Sequence, residues 1–394
     1  MSARDRDGGR HLWLLGVLLS TMTVCTLMQF VLAVLAPYIT AEFDLSRTRY
    51  GSAASVLFLG AVLVSLLAGR LVDGFGAIRL LRALYVAAAG AFLLLSVTPS
   101  WTGVVLAALV MGVPLGLGNP VTNVLVVTRV PAPLRGTATG VKQAGVQVGA
   151  LTLGLALPPV ATAFGWRTAG GLLAAAAVLG LVAVRPLRDE GRRAPATGGA
   201  VRTGRRTRPR LSHPALTAYA VLAGVAASSV NAFLPLFAFE ELGLAPQQAG
   251  WIVALLGLLG ATSRVIVGML GEQLPRLWLW LAGLAYAGAA AILLLFPALD
   301  RPGLVWVAAV AFGGTAPAWQ SAAMLALMRG GDPAGRSAGV VIGGFLLGMV
   351  AGPLAFGRLT DHTQGYTAGW WLVAGTLVAA GTLAAAAAAV RARA

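Results

Sequence analysis

Long apolar runs separated by short polar breaks recur along the chain from residue 12 to residue 390. A hydrocarbon core about 30 Å thick takes about 20 mainly apolar residues per helical crossing. Twelve stretches meet that length, approximately 12–38, 51–72, 78–98, 102–128, 137–163, 168–187, 214–239, 249–271, 277–298, 303–328, 336–358 and 367–390. The runs are continuous rather than alternating, which predicts helices that pair every backbone group internally and not barrel strands. Composition agrees, with 58% hydrophobic and 11% charged residues against about 25% charged in soluble domains. The expected class is an all-α membrane protein with twelve transmembrane helices. The opening "MSARDRDGGRHLWLL" leads into a run too long for a signal-peptide core and reads as the first membrane helix.

Charge adds an orientation. With the N-terminus in the cytoplasm, 22 of the 29 Lys and Arg fall on cytoplasmic segments, and Arg47, Arg49, Arg167, Arg301 and Arg358 fall outside. That asymmetry is the positive-inside pattern, with both termini cytoplasmic. The basic stretch 188–213 divides the crossings six and six, giving an N-terminal bundle at 1–187 and a C-terminal bundle at 214–394. It reads as a flexible topogenic linker or as a contact for anionic headgroups. Without interleaved aromatics, it does not point to nucleic acid. Cys25 is the single cysteine and lies inside the first run, which excludes an intramolecular disulfide.

The halves repeat. Gly51 and Gly250, Gly69 and Gly268, Leu71 and Leu270, Asp73 and Glu272, and Gly140 and Gly339 are each 199 residues apart. Parallel six-helix repeats with a substrate site near mid-membrane describe one major class of secondary transporter. Within the repeat, "GRLVDGFGAIRLL" (69–81) sits between the second and third runs and is answered by "GMLGEQLPRLW" (268–278). Gly69 is expected to let helices approach closely, Asp73 to meet a helix N-terminus or an arginine, and Gly74 and Gly76 to form a tight turn.

These residues resemble the loop signature of the major facilitator superfamily, G-x-L-x-D-x-x-G with basic residues around and after the second glycine. Gly69, Leu71, Asp73 and Gly76 match, while Gly74, Ala77 and Ile78 replace positions that are often basic. "RGTATG" (135–140) with "FGWR" (164–167), and "GRSAGVV" (335–341) with "AGPLAFGRLTD" (351–361), resemble its fifth and eleventh helices, so the resemblance covers residues 10–390. It implies a cytoplasmic latch built from Gly69, Asp73, Gly76, Arg79, Gly268, Glu272 and Arg276, weaker than usual for want of basic partners. It also implies a cavity lined by helices one, four, seven and ten.

Polar residues inside membrane runs are costly and tend to face a bundle interior or a water-filled cavity. Amides occur at Gln29, Asn119, Asn123, Gln143, Gln147, Asn231 and Gln320, and none falls in the third, sixth, ninth or twelfth run. As a set, with Trp319 as a flat wall, they predict a polar cavity. Interhelical hydrogen bonds are the alternative for each one singly. Two cations sharpen the reading: Lys142, the only lysine, in the fifth run and Arg264 in the eighth. Facing inward, they would favour an anion, with arginine as a planar fork and lysine as a point charge. The alternatives are snorkelling to headgroups, or pairing of Arg264 with Glu272. Arg264 also resembles the substrate-anchoring arginine of monocarboxylate and oxalate transporters.

Drug/proton antiport is the rival reading. "ALVMGVPLGLGNP" (108–120) lacks the exporters' arginine, and Ala150 stands where their fifth-helix motif has proline. His11, His213 and His362 form no metal or triad spacing, so neither catalysis nor a metal or cofactor is expected. The expectation is a monomeric secondary transporter of a small anion, by proton symport or exchange, in a bacterial cytoplasmic membrane. Drug or metabolite efflux is the alternative.

Overall fold

A computed structural model of the protein describes residues 3–187, 214–271, 273, 276–329 and 334–393. The described residues are helical, without strands. The helices are α1 (Ala3–Val34), α2 (Ala36–Phe43), α3 (Arg47–Phe75), α4 (Ala77–Val97), α5 (Trp101–Arg129), α6 (Arg135–Phe164), α7 (Trp166–Ala183), α8 (Pro214–Glu240), α9 (Pro246–Gly271), α10 (Leu277–Leu293), α11 (Leu304–Thr315), α12 (Trp319–Arg329), α13 (Ala334–Thr363) and α14 (Thr367–Arg393).

Eleven helical segments among the described residues are long and apolar enough to cross a membrane. The twelfth crossing, the tenth in chain order, is split. α11 stops at Thr315, a 3-10 turn covers Ala316–Ala318, and α12 resumes at Trp319. Pro317 is the physical cause, because proline lacks the N–H that the helical ladder needs and clashes with the preceding turn. The first crossing ends at Val34, earlier than the expected 38, and α2 follows with Pro37 in its first turn.

Helix junctions follow from backbone chemistry. Gly76 (φ 81°) joins α3 to α4 and Gly165 (φ 82°) joins α6 to α7, both in a conformation that side chains rarely adopt. The helix α3 runs unbroken through Phe75, so the expected tight turn reduces to Gly76 alone. The close approach expected at Gly69 is overturned. A Cβ placed there, or at Gly268, would meet nothing within 4 Å.

The chain forms two compact units. One comprises the residues before Leu32 together with the stretch from Val56 up to the linker, and the other comprises Leu32–Ser55 together with the residues after the linker. Without a hydrophobic drive between helices in lipid, close packing depends on small residues. In the first unit, a Cβ at Gly112 would lie 2.8 Å from the Gly60 Cα, and one at Gly116 would strike the Ala61 carbonyl. Gly145 of α6 presses on the Leu19 carbonyl of α1, and the Thr23 hydroxyl donates to the Gly145 carbonyl at 2.8 Å. In the second unit Gly344, Gly348 and Gly352 line the α13 face packed on Thr217, Val221 and Val225 of α8.

The duplication is therefore physical as well as textual. Gly145 and Gly149 stand 199 residues before Gly344 and Gly348, and both pairs seat the fifth helix of their half on the first. A second duplicated contact lies 201 residues apart, where the Tyr85 ring covers Gly180 and the Tyr286 ring covers Gly381. The fold is that of two six-helix pseudo-repeats, one crossing of which is broken.

Candidate functional site

In the first unit, Asn119, Thr122 and Asn123 share one face of α5 at i, i+3 and i+4 spacing. Lys142 reaches across from α6. Its ammonium donates to Asn119 Oδ1 at 3.2 Å, to Thr122 Oγ1 at 3.1 Å and to Asn123 Oδ1. Lys142 is 1% exposed, while both asparagines are exposed. This geometry disposes of the snorkelling alternative, since the side chain is drawn into a polar pocket of its own unit. All three ammonium protons are used, and among the described residues no carboxylate meets them. Thr122, which donates its own proton to the Gly118 carbonyl at 2.6 Å, was not foreseen. A threonine bonded to the preceding turn is ordinary in a helix and gives no signal in the sequence.

In the second unit, Arg264 Nε donates to the Pro317 carbonyl at 3.3 Å, inside the break of the tenth crossing. Ser321 donates to the Arg264 carbonyl at 2.9 Å, and Ser263 to the Gly313 carbonyl at 3.2 Å. The broken backbone is thus stapled to α9, which meets part of the cost of unpaired carbonyls in an apolar medium. Arg264 therefore has a structural partner besides any ligand it meets.

The remaining expected residues divide by surroundings. Gln29, Asn231 and Gln320 are half-buried and make no hydrogen bond to described residues, and Gln147 is half-buried. Trp319, expected as a cavity wall, is buried instead. Its ring lies 5.7 Å from that of Tyr219 and 5.3 Å from that of Phe345, inside the apolar core of its unit. Lys142, Asn119 and Asn123 are brought together; Arg264 lies in the other unit. Of the latch residues, Asp73, Arg79 and Arg276 are exposed, and Gly69, Gly76 and Gly268 are as described above. Glu272 lies outside the described residues, as does the linker 188–213.

One constellation was not foreseen. The Asp361 carboxylate accepts from the backbone N–H of Arg47 at 2.9 Å and of Thr48 at 2.8 Å, and Ser46 Oγ accepts from that of Arg49 at 3.3 Å. Together they satisfy the otherwise orphaned first turn of α3. The Arg47 guanidinium forks onto Glu240 Oε2 at 3.0 and 3.2 Å and lies over the Tyr366 ring, 4.4 Å from its centroid. Tyr366 donates to the same carboxylate oxygen at 2.9 Å. Burial, and then the neighbouring Glu240 charge, push the Tyr366 hydroxyl well above its ordinary pKa. Beneath this, Tyr50 shares its one O–H between the carbonyls of Leu32 and Ala232, each 3.1 Å away, and meets the Phe233 ring edge-on at 5.4 Å. These contacts explain why residues 32–55 belong to the second unit.

No curated protein matches the sequence. Among solved structures, a D-xylose-proton symporter superposes with a TM-score of 0.75 at 17% identity, over 95% of this chain and 97% of that one. A bacterial homolog of the human lysosomal transporter Spinster, inward-facing and occupied, superposes at 0.71 with 18% identity, over 96% and 95%. Identities this low speak for the fold alone. The family description Major Facilitator Superfamily matches residues 17–353. Taken with twelve crossings and a duplicated helix packing, that match shows that the chain belongs to the Major Facilitator Superfamily and is a multi-pass secondary transporter.

Proposed function

We propose that the cargo is a small organic or inorganic anion, for example a monocarboxylate, moved by alternating access with proton symport or by exchange. The observation that carries this reading is the Lys142 ammonium, buried within a membrane-spanning unit and held by three neutral acceptors with no carboxylate among the described residues. Burying an uncompensated charge costs several kcal/mol in an apolar medium, and intramembrane charges of this kind mark substrate pathways. An arriving anion supplies the missing counter-charge. Gln29 and Gln147 are the further amides proposed to serve the ligand in this unit. Arg264, Asn231 and Gln320 are the candidates in the other. The two six-helix bundles at 1–187 and 214–394 are the parts proposed to rock, in a bacterial cytoplasmic membrane with both termini inside.

Uptake into proteoliposomes tests the reading with a panel of small carboxylates and inorganic anions beside a panel of hydrophobic cations. Anion uptake is expected, lost in Lys142→Met and in Arg264→Ala and kept in Arg301→Ala, which alters an exposed loop. Transport of hydrophobic cations that is indifferent to both variants would overturn it and favour drug efflux.

A further inference from the structure

Lys142 was expected to meet an anion as a mobile point charge, yet its geometry leaves it nothing to offer. An ammonium has three N–H donors and no acceptor, and all three donors are engaged, by Asn119 Oδ1 (3.2 Å), Thr122 Oγ1 (3.1 Å) and Asn123 Oδ1. Because the ammonium can only donate, each carboxamide must turn its oxygen toward it. The amide N–H2 group of each asparagine is then left on the far side. Exposure agrees: Lys142 is buried, whereas Asn119 and Asn123 above it are exposed, so a ligand reaching this face touches the amides first.

We infer that the ligand-contacting donors of this unit are the N–H2 groups of Asn119 and Asn123, and that Lys142 is a positioning residue that fixes their direction. This rests on the anion reading above. The two asparagines are one helical turn apart, so their Cβ atoms are about 5–6 Å from each other. At that spacing two N–H2 groups are close enough for both to reach the oxygens of one carboxylate or one larger oxyanion. The lysine contributes charge at the distance of one carboxamide. It polarises both amides, since a carbonyl that accepts from a cation makes its N–H a stronger donor. The site so built takes acceptor-only groups, a carboxylate or a phosphate, and rejects an ammonium, for which it presents only donors.

The sole lysine makes a direct test practical, because acylation by an amine-reactive reagent and peptide mass spectrometry read Lys142 apart from the N-terminal amine. In the wild-type protein Lys142 is expected to stay unlabelled with or without saturating anion, and Asn123→Ala is expected to raise its labelling at least about tenfold. In uptake assays Asn119→Leu and Asn123→Leu are each expected to raise KM about tenfold or more with little change in maximal rate, the loss expected for a hydrogen bond to a charged ligand. Asn123→Asp keeps an acceptor for the lysine, supplies its counter-charge and removes the donor, and is expected to lose uptake while Lys142 stays unlabelled and thermal unfolding does not fall. Labelling of wild-type Lys142 that the anion protects against would overturn the inference, as would a wild-type KM in both Leu variants. If the Leu variants retain uptake and Lys142→Met loses it, only this inference fails. A wild-type protein that takes up no anion of the panel defeats the transport reading and this inference with it.

Discussion

Removing the Asp361 carboxylate should unfasten the first turn of α3. That carboxylate holds the N–H groups of Arg47 and Thr48 at 2.9 and 2.8 Å, from 314 and 313 residues away in sequence. Asp361→Ala leaves two helix-start donors without a protein partner. Each such bond contributes about 1 kcal/mol net, and loss of a capping side chain costs about 0.5–2 kcal/mol. Because Asp361 is only half-buried, water compensates in part. The expected cost is about 2 kcal/mol of local stability, with a negative charge at a helix N-terminus accounting for about 0.3–1 kcal/mol of it. A difference of 2 kcal/mol is about thirtyfold in an opening equilibrium. Amide hydrogen exchange of the reconstituted protein should therefore speed up by about thirtyfold at Arg47 and Thr48. Amides near Gly112, in the other unit, should be unaffected. Asp361→Asn, which keeps one acceptor oxygen and loses the charge, should fall between. Exchange at Arg47 and Thr48 that is unchanged in Asp361→Ala would refute the argument and reduce the carboxylate to a bystander.

Glycine substitutions should separate motif from packing. Gly69→Ala meets no atom within 4 Å, so helix propensity alone should stabilise the fold by about 0.5–1 kcal/mol; a fall in thermal unfolding temperature would contradict this, and any loss of turnover would then belong to the transport cycle. Gly348→Leu, driven into the Val221 backbone of α8, should cost about 3 kcal/mol or more and sharply lower the yield of folded protein. At Gly165, with φ of 82° and ψ of 150°, replacement by alanine should cost about 1–3 kcal/mol by backbone strain, measurable as a lower midpoint in thermal unfolding. The Tyr366 hydroxyl, pushed by burial well above the ordinary tyrosine pKa of about 10, favours the folded state while it stays neutral. That contribution is complete below about pH 10 and is lost as pH rises toward the folded pKa. Tyr366→Phe should accordingly lessen the alkaline decline in stability, as read by thermal unfolding between pH 8 and pH 11.

Hydropathy made twelve crossings legible, because lipid solvation demands a continuous apolar run wherever a helix spans. The tenth shows the limit of that reasoning. Residues 303–328 are as apolar as their neighbours, and only Pro317 marks the break. The duplicated offset was legible too, and the structure gives it content in Gly145 on α1 and Gly344 on α8. Gly69 failed as a packing residue because a motif records a position without saying what lies opposite it. Lys142 stood out as a single lysine in an apolar helix, and Asn119 and Asn123 as amides on one face of another, but the hydrogen bonds joining them depend on how α5 and α6 face each other. The contacts that join Arg47, Glu240, Asp361 and Tyr366 left no trace, although Arg47 stood out by its charge and Asp361 closes a family-like motif. Each residue is an ordinary polar group near a helix end, and its partners lie 126–314 positions away. Helical periodicity reports which face a residue occupies. A bond between residues so far apart in sequence becomes readable only when packing has already brought their helices together, as Gly357 does by admitting the Arg47 backbone against α13.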